Sequence, residues 1–267
     1  MRLRRFAAAA FAAALMVGMA GCADGEGTAS QVKTTAPAAI GANLTVDDFG
    51  QRVAAAAMEA GSAHIEGNTL LMGQDLTVTG DVQAGARLDE FKLAAVAEMG
   101  GQGSVELRLV DSVVYVKLPT GLSLTDKPWV KLDLSDPENP IGARFGQLIS
   151  SLDPSKFHQL DSAVVELENL GSEDVRGVAA THYRVIIDTT KALEVLDLGK
   201  VAGVEAAEVL ETLPKTVVSD VWVDDDALLV KVAGDLGSAK TEMFFSQWGE
   251  PVTVAAPPAR QVGQLPF

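Results

Sequence analysis

Apolar residues recur at two periods along this chain, and the change between them divides it into helices and strands. After Thr45, the residues Phe49, Val53 and Ala57 fall at i, i+4 and i+8, with Val46 and Met58 beside them. That spacing predicts one amphipathic helix. Thr45 is a suitable N-cap, Asp47 and Asp48 sit in the first turn against the helix dipole, and Gly61 is a natural stop. Beyond Gly61 the period drops to two. His64–Leu71, Leu76–Val82, Phe91–Val96, Val105–Val110, Val113–Leu118 and Trp129–Leu134 are short, rich in β-formers and separated by Gly or Asp turns. Leu76, Val78 and Val82 share one face while Thr77, Thr79 and Asp81 share the other. Val105, Leu107 and Leu109 alternate with Glu106 and Arg108 in the same way. One apolar and one polar face per strand is the pattern of antiparallel sheets wet on one side. The connections are too short for helical crossovers, so a meander is expected.

A helical insert is expected next. Pro140 opens it, Ile141, Phe145, Leu148, Ile149 and Leu152 form its apolar stripe, and Asp153-Pro154 breaks it before a further turn to Leu160. Strand patterns return at Val164–Leu167 and Tyr183–Ile187. A third helical stretch is expected from Thr190 to about Leu213, broken near Gly199–Gly203. Val217–Val223, Leu228–Val232 and Thr241–Ser246 are the last strands, two of them joined by the Asp224-Asp225-Asp226 turn. Pro251 to Phe267 reads as an irregular tail. A sheet of this many strands curls, and helices can be laid over one of its faces. The expected fold is therefore α+β: a curved, antiparallel, half-open β-barrel with helices covering its concave apolar face.

The start of the chain has a different character. Met1-Arg2-Leu3-Arg4-Arg5 is followed by an apolar run from Phe6 to Ala20 and then by Gly21-Cys22. A basic start, a short apolar stretch and small residues before a cut site describe an export signal. The run is short for a membrane-spanning helix, which needs roughly 20 residues. Cys22 is the single cysteine of the chain. Its place directly after Ala20-Gly21 resembles the lipobox of bacterial lipoproteins, with Met19 where leucine is more usual. The resemblance implies cleavage before Cys22 and acylation of its sulfur, by chains such as palmitate. From Ala23 to about Asn43 the sequence is mostly Gly, Ala, Ser, Thr and Pro, a tether spanning about 25 Å root-mean-square.

Charge narrows the partners. The chain carries 21 Lys+Arg against 36 Asp+Glu, a formal net charge of -15. Loss of residues 1–21 would take three arginines and no acid with it and move the charge to -18. Such a surface repels nucleic acid and anionic headgroups alike, so no nucleic-acid partner is expected and any membrane contact falls to the acyl chains. No second cysteine exists for a disulfide. At 48% hydrophobic and 21% charged residues, the chain is apolar enough to fold around a core.

Catalytic and metal motifs are missing. His64, His158 and His182 have no partner at H-E-x-x-H spacing, and C-x-x-C is ruled out by the single cysteine. No G-x-S-x-G elbow occurs. The Gly100-Gly101-Gln102-Gly103 cluster lacks the order and following helix of a dinucleotide-binding loop. Asp224-Asp225-Asp226 lacks the spacing of a calcium loop. A surface hydrolase would need acid–base residues that converge only in three dimensions; the expectation is that the chain is not an enzyme and takes no metal or cofactor.

Three stretches carry a wider resemblance: DSVVYVKLP at Asp111–Pro119, KPWVKLDLSD at Lys127–Asp136 and SDVWVDDDALLVKV at Ser219–Val232. Together with the lipobox at Cys22 they resemble the actinobacterial lipoproteins of the LppX/LprA/LprF/LprG type, in order and spacing over most of the chain. The resemblance implies a fold similar to the carriers LolA and LolB. It also implies an apolar cavity, binding of acylated lipid or glycolipid, and transport of that lipid across the cell envelope, with a lipid exporter as a further partner. The expected organisation is then a signal peptide at 1–21, a tether at 22–43, a LolA-like lipid-binding domain at 44–250 and a Pro-rich tail at 251–267, anchored by Cys22 to the cell membrane on its extracytoplasmic side.

The resemblance brings no pocket signature that can be carried over residue by residue. The strictest alternations supply the candidate lining instead: Leu76, Val78, Leu93, Val105, Leu107, Val114, Val116, Val185, Ile187, Val221 and Val223 from strands, with Phe49, Val53, Phe145 and Leu148 from helices. Small aliphatic side chains suit acyl chains, and only 5% of the residues are aromatic. Gly142 and Asp153-Pro154 are the expected hinges for loading. An alternative is a non-catalytic sensor or assembly module that meets a protein partner through its outer face, for which Trp222, Phe244 and Trp248 are the aromatic candidates.

Overall fold

The computed structural model describes residues 43–71, 74–85, 89–101, 103–119, 121, 125–134, 160–195, 200–201, 204–205, 214–235 and 239–264. Helix α1 (Phe49–Ala60) comes first. Six strands follow: β1 (Ser62–Leu71), β2 (Gln74–Gln83), β3 (Lys92–Met99), β4 (Ser104–Val110), β5 (Val113–Lys117) and β6 (Trp129–Asp133). A 3-10 turn (Leu160–Ala163) leads into β7 (Val164–Val175) and β8 (Val178–Asp188), then the short helix α2 (Thr189–Val195). Among the described residues, the two-residue strands β9 (Lys200–Val201) and β10 (Val204–Glu205) pair only with each other. The last strands are β11 (Thr216–Val223), β12 (Leu229–Asp235), β13 (Ala239–Ser246) and β14 (Val262–Gln264).

Twelve strands form one sheet in the order β14-β6-β5-β4-β3-β2-β1-β13-β12-β11-β8-β7, curved and unclosed. The expected meander is present from β1 to β6, each strand antiparallel to the next. The two halves of the chain join where β1 pairs with β13, from His64 opposite Ser246 to Leu71 opposite Ala239. This pairing closes a loop of 172 residues between Thr69 and Thr241, and no local pattern announces it.

The strand alternation governs which side is buried. In β3 the burial follows every second residue through Leu93, Ala95 and Ala97, and in β4 through Val105, Leu107 and Leu109. The face carrying these residues is called inner below. Helix α1 sits on it through Phe49, which is 8% exposed.

The helix starts later than expected: Phe49 is its first residue and Asp48 its N-cap, so Asp47 and Asp48 precede the first turn, because the Asp48 side chain folds back on Thr45. The Phe49 N–H donates to the Thr45 carbonyl at 2.9 Å, and the Asp48 carboxylate accepts from the Thr45 N–H at 2.6 Å and from its hydroxyl at 2.8 Å. These bonds, the backbone one first, hold the Asp48 carboxyl below its ordinary range. A second carboxylate arrives from the 3-10 turn: Asp161 accepts from the Gly50 and Gln51 N–H groups at 2.5 and 3.1 Å. Asp161 thus satisfies two donors that a helix start leaves unpaired, and it fixes α1 to the far half of the chain. Gly61 ends the helix at φ 79, the left-handed geometry that favours glycine.

Three further expectations are corrected. Residues 200–201, within the break expected near Gly199–Gly203, pair as strand with 204–205, where helix was expected to resume; the β-branched Val201 and Val204 favour strand over helix there. Strand β7 runs on to Val175, well past Leu167. The region 251–267 is not an irregular tail throughout. Arg108 donates to the Ala255 carbonyl at 3.0 Å, Val254 is buried, and β14 pairs in parallel with β6, Val262 opposite Trp129. Gly263 permits that docking, because a Cβ there would lie 2.5 Å from Thr125 Oγ1. The helical insert expected at 140–159 lies outside the described residues.

Candidate functional site

Two apolar clusters share the inner face, joined by the pairing of β12 with β13. The first lies beneath α1. It comprises Leu44, Phe49, Ala163, Tyr183, Val185, Ile187, Val221, Val223, Ala227 and Val232, with Val53 half-buried against it. Phe49 meets the Tyr183 ring edge-on at 6.3 Å between centroids, and the Tyr183 hydroxyl accepts the Leu44 N–H at 3.1 Å. This half is packed by the chain's own helix.

The second cluster spreads over β1–β6 and is aliphatic. Ile65, Leu76, Val78, Leu93, Ala95, Ala97, Leu107, Leu109, Val114, Leu132 and Met243 are buried in it, and Val82, Phe91, Met99, Val116, Leu134 and Phe245 pack half-buried against it. The described helices and the 3-10 turn pack instead against one another and against β1, β7 and β8.

The sequence-derived lining therefore divides in two. Phe49, Val53, Val185, Ile187, Val221 and Val223 fall in the half filled by α1, whereas Leu76, Val78, Leu93, Leu107, Val114 and Val116 fall in the β1–β6 half. Val105 is buried and alternates in phase with Leu107. Cys22, Phe145, Leu148 and the expected hinges Gly142 and Asp153-Pro154 lie outside the described residues.

One part of the inner face was not visible in the sequence. Thr69, Thr241 and Ser219 are buried at 1%, 4% and 1% exposure. Sheet register lines them up: Thr69 opposes Thr241, Thr241 opposes Gly234, and Gly234 opposes Ser219. The two threonine hydroxyls lie 2.9 Å apart and share a hydrogen bond. Ser219 Oγ is buried with no hydrogen-bond partner, an arrangement that costs about 1–3 kcal/mol. These residues come from strands up to 172 positions apart, so no sequence motif could have grouped them.

The outer face carries charged and aromatic groups that are tied to one another. Lys231 lies 4.5 Å from the Trp222 ring centroid, and the Arg176 guanidinium lies 3.5 Å over Phe244. His182 stacks on Trp222 at 4.1 Å and its Nδ1 is 2.9 Å from Glu173 Oε1. His182 Nε2 is 3.2 Å from Asp220 Oδ1, too poorly aligned for a hydrogen bond. Trp248, by contrast, stacks on the inner-face Phe245 and donates to the Leu229 carbonyl at 2.8 Å. The three aromatic candidates for a partner surface are thus engaged by the chain itself. His64 is likewise paired, 2.8 Å from Asp81; His158 lies outside the described residues. Asp224 accepts from the Asp226 and Leu228 N–H groups as a turn residue, and burial raises its carboxyl above the ordinary range. Among the described residues no group of three or more His, Cys, Asp or Glu could hold a metal ion.

Glu173 gives a pH test of this outer face. The Trp222 indole N–H donates to it at 2.8 Å and lowers its carboxyl below the ordinary range, with His182 adding to the shift. A depressed acid contributes stability that is complete above its unfolded value and is lost as pH falls through the lower folded value. Half of the side chain is exposed, so screening keeps the contribution under about 1 kcal/mol. Glu173→Gln should therefore be less stable than the parent in thermal melts at neutral pH. The gap should close on acidification through the carboxylate range.

No protein-family model matches the chain. A curated relative from Streptomyces griseus, an uncharacterized 31.2 kDa protein of the rplA-rplJ intergenic region, is 29% identical over 177 residues, 62% of this chain. The chain spans 58% of that relative's length, less than two thirds. Among solved structures, lipoprotein LppX of Mycobacterium tuberculosis superposes with a TM-score of 0.51 at 22% identity, covering 79% of this chain and 98% of LppX. LprF of Mycobacterium bovis gives a TM-score of 0.51 at 17% identity, covering 79% and 96%. At these identities the likeness is one of fold. The chain has the curved, unclosed sheet and overlying helix of the LppX/LprF-type lipoproteins, as the sequence resemblance implied.

Proposed function

We propose that this chain is an extracytoplasmic lipoprotein, anchored through Cys22, that shelters the acyl chains of an acylated lipid or glycolipid against the inner face of its sheet and carries that lipid through the cell envelope. The β1–β6 cluster carries the reading. It is a continuous aliphatic surface of Leu, Val, Ala and Ile on a curved sheet, away from the half filled by α1. Burying hydrocarbon against it is favourable by about 0.8 kcal/mol per CH₂, so a chain of about 14 carbons contributes on the order of 10 kcal/mol before the cost of ordering it. Binding on that scale needs few polar contacts and no catalytic group, in keeping with a non-enzymatic role without cofactor. The LppX- and LprF-like fold, the basic and apolar start of the chain, and Cys22 support the placement outside the cytoplasm. No helix among the described residues is long and apolar enough to cross a membrane. In this reading 1–21 is the signal peptide, 22–43 the tether, 44–250 the binding domain and 251–267 its C-terminal extension; a lipid exporter is the expected protein partner.

Native mass spectrometry of the full chain, purified from the membranes of a Streptomyces host, tests the reading. The expected result is an acylated lipid present at near one copy per protein and a Cys22 peptide that carries acyl mass. A protein free of lipid would overturn the carrier role; an unmodified Cys22 would overturn the anchor.

A further inference from the structure

The hairpin that joins β7 to β8 reaches across the outer face of the sheet. β8 pairs with β11 only as far as Thr181 opposite Val223, but with β7 as far as Val178 opposite Val175. The end of the hairpin therefore projects past β11. Two bulges in β7, between Val164 and Glu166 and between Asn169 and Gly171, add the twist that turns such a projection onto one face. Val175 and Ala180 are buried in one apolar cluster with Trp222 of β11 and Val230 of β12, and Glu173 accepts the Trp222 indole N–H. From the tip, the Arg176 guanidinium stands 3.5 Å from the centroid of the Phe244 ring on β13 and meets Glu66 of β1 at 2.6 Å. The arm thus crosses β11 and β12 and ends on β13 and β1. It passes over the line between β12 and β13 where the two inner clusters meet.

The residue at the tip is an unusual choice for its backbone. Arg176 and Gly177 are the central pair of the turn, at φ 55 and φ 88. Two positive angles define a hairpin turn that favours Asn, Asp or Gly at both positions. Arginine gains nothing from that backbone, so the position is used for its side chain. The inner side of the same junction is tight. Gly67 follows Glu66 on β1, and a Cβ there would collide with Met243 and with the Glu242 carbonyl of β13. Glycine within a strand marks such a close approach. At one place, then, β1 and β13 are pressed together on the inner side and bridged by the arm on the outer side.

We propose that the β7–β8 arm is a tie that limits how far the sheet curls, by holding β1 and β13 to β8 across the outer face. Tighter curling lengthens the outer path from β8 to β1, and the Arg176 contacts resist that lengthening. The two halves of the inner face are thereby held apart. The tie is also easily broken. Its ion pair is 55% and 45% exposed, so its strength depends on salt. The tip can lift while the base of the arm stays seated through Val175, Ala180 and Trp222. The tie is a property of the chain without ligand, so it stands apart from the carrier reading.

Double electron–electron resonance measures the curl. Spin labels go on Glu98→Cys of β3 and Glu168→Cys of β7, both exposed and on the outer face. The full chain carries Cys22→Ser, so no other thiol is present. Arg176→Ala should shorten the distance between labels by up to one strand spacing, about 5 Å, and broaden its distribution. Glu66→Gln breaks the ion pair but keeps the stacking on Phe244, and should shift the distance the same way by less. Raising NaCl from about 0.1 to 1 M cuts the screening length from about 10 to 3 Å. That change should move the parent toward the variant and leave Arg176→Ala where it is. Circular dichroism should show an intact fold in Arg176→Ala, because the side chain removed is an exposed one. An unchanged distance in Arg176→Ala, or a longer one, would overturn the tie and leave the carrier reading untouched.

Discussion

Tyr183→Ala is expected to remove about 3–5 kcal/mol of unfolding free energy, the range for deleting a fully buried aromatic side chain. Tyr183 is 1% exposed and stands at the centre of the cluster under α1. It does two things that no neighbour can replace. Its ring meets the edge of Phe49, and so holds α1 on the sheet; its hydroxyl accepts the Leu44 N–H, and so holds the segment that enters α1. Domains of this kind have about 5–15 kcal/mol in total, so the variant should unfold at markedly lower urea. Tyr183→Phe separates the two roles. It keeps the ring and leaves the buried Leu44 N–H without its acceptor, for which about 1–2 kcal/mol is expected. Urea titration followed by far-ultraviolet circular dichroism reads both. A Tyr183→Ala loss under about 1 kcal/mol would show that α1 is not held by this contact, and the inner face would then lose the helix that closes one half of it.

Much of this arrangement could be read from the chain. The strands whose alternation is strict, such as Val105-Glu106-Leu107-Arg108-Leu109, were located to within a residue or two, because burial of one face demands that period. β7 was legible only as far as Leu167. From Glu168 onward it runs through Asn169, Gly171, Ser172, Glu173 and Asp174, polar on both faces, and its register shifts at two bulges. Among the described residues it is also an end strand of the sheet, paired with β8 alone, so no neighbouring strand there forces an apolar side on it. β14 was missed since three residues have no period. The candidate lining was identified as apolar and inward without the division that the structure makes between its two halves. That division depends on where α1 lands, and α1 lands where Asp161 caps it and Tyr183 receives Phe49, contacts made across more than a hundred residues. The hydroxyl row was illegible for the same reason: four strands must be aligned before Thr69, Thr241 and Ser219 become neighbours.

The same division decides where a blocking substitution belongs. Both Val116 and Val185 come from the sequence-derived lining, yet they should respond differently to tryptophan. Val185 is 1% exposed within the half packed by α1. Tryptophan there has no space to enter and should disrupt the fold, so loss of binding would carry no information about a site. Val116 lies on β5 opposite Leu107 and Val130, half-buried at the edge of the aliphatic cluster. Overpacking at such a position costs about 1–3 kcal/mol, which the domain can absorb. A tryptophan ring spread over this surface displaces several methylene contacts at about 0.8 kcal/mol each, so Val116→Trp should weaken uptake of a fluorescent diacyl lipid by about tenfold or more. Tyr115→Trp, the adjacent residue pointing to the outer face, serves as the control and should load like the parent. If Val116→Trp folds and still loads at the parental level, the acyl chains do not lie against β5, and the aliphatic surface of β1–β6 is core rather than binding site.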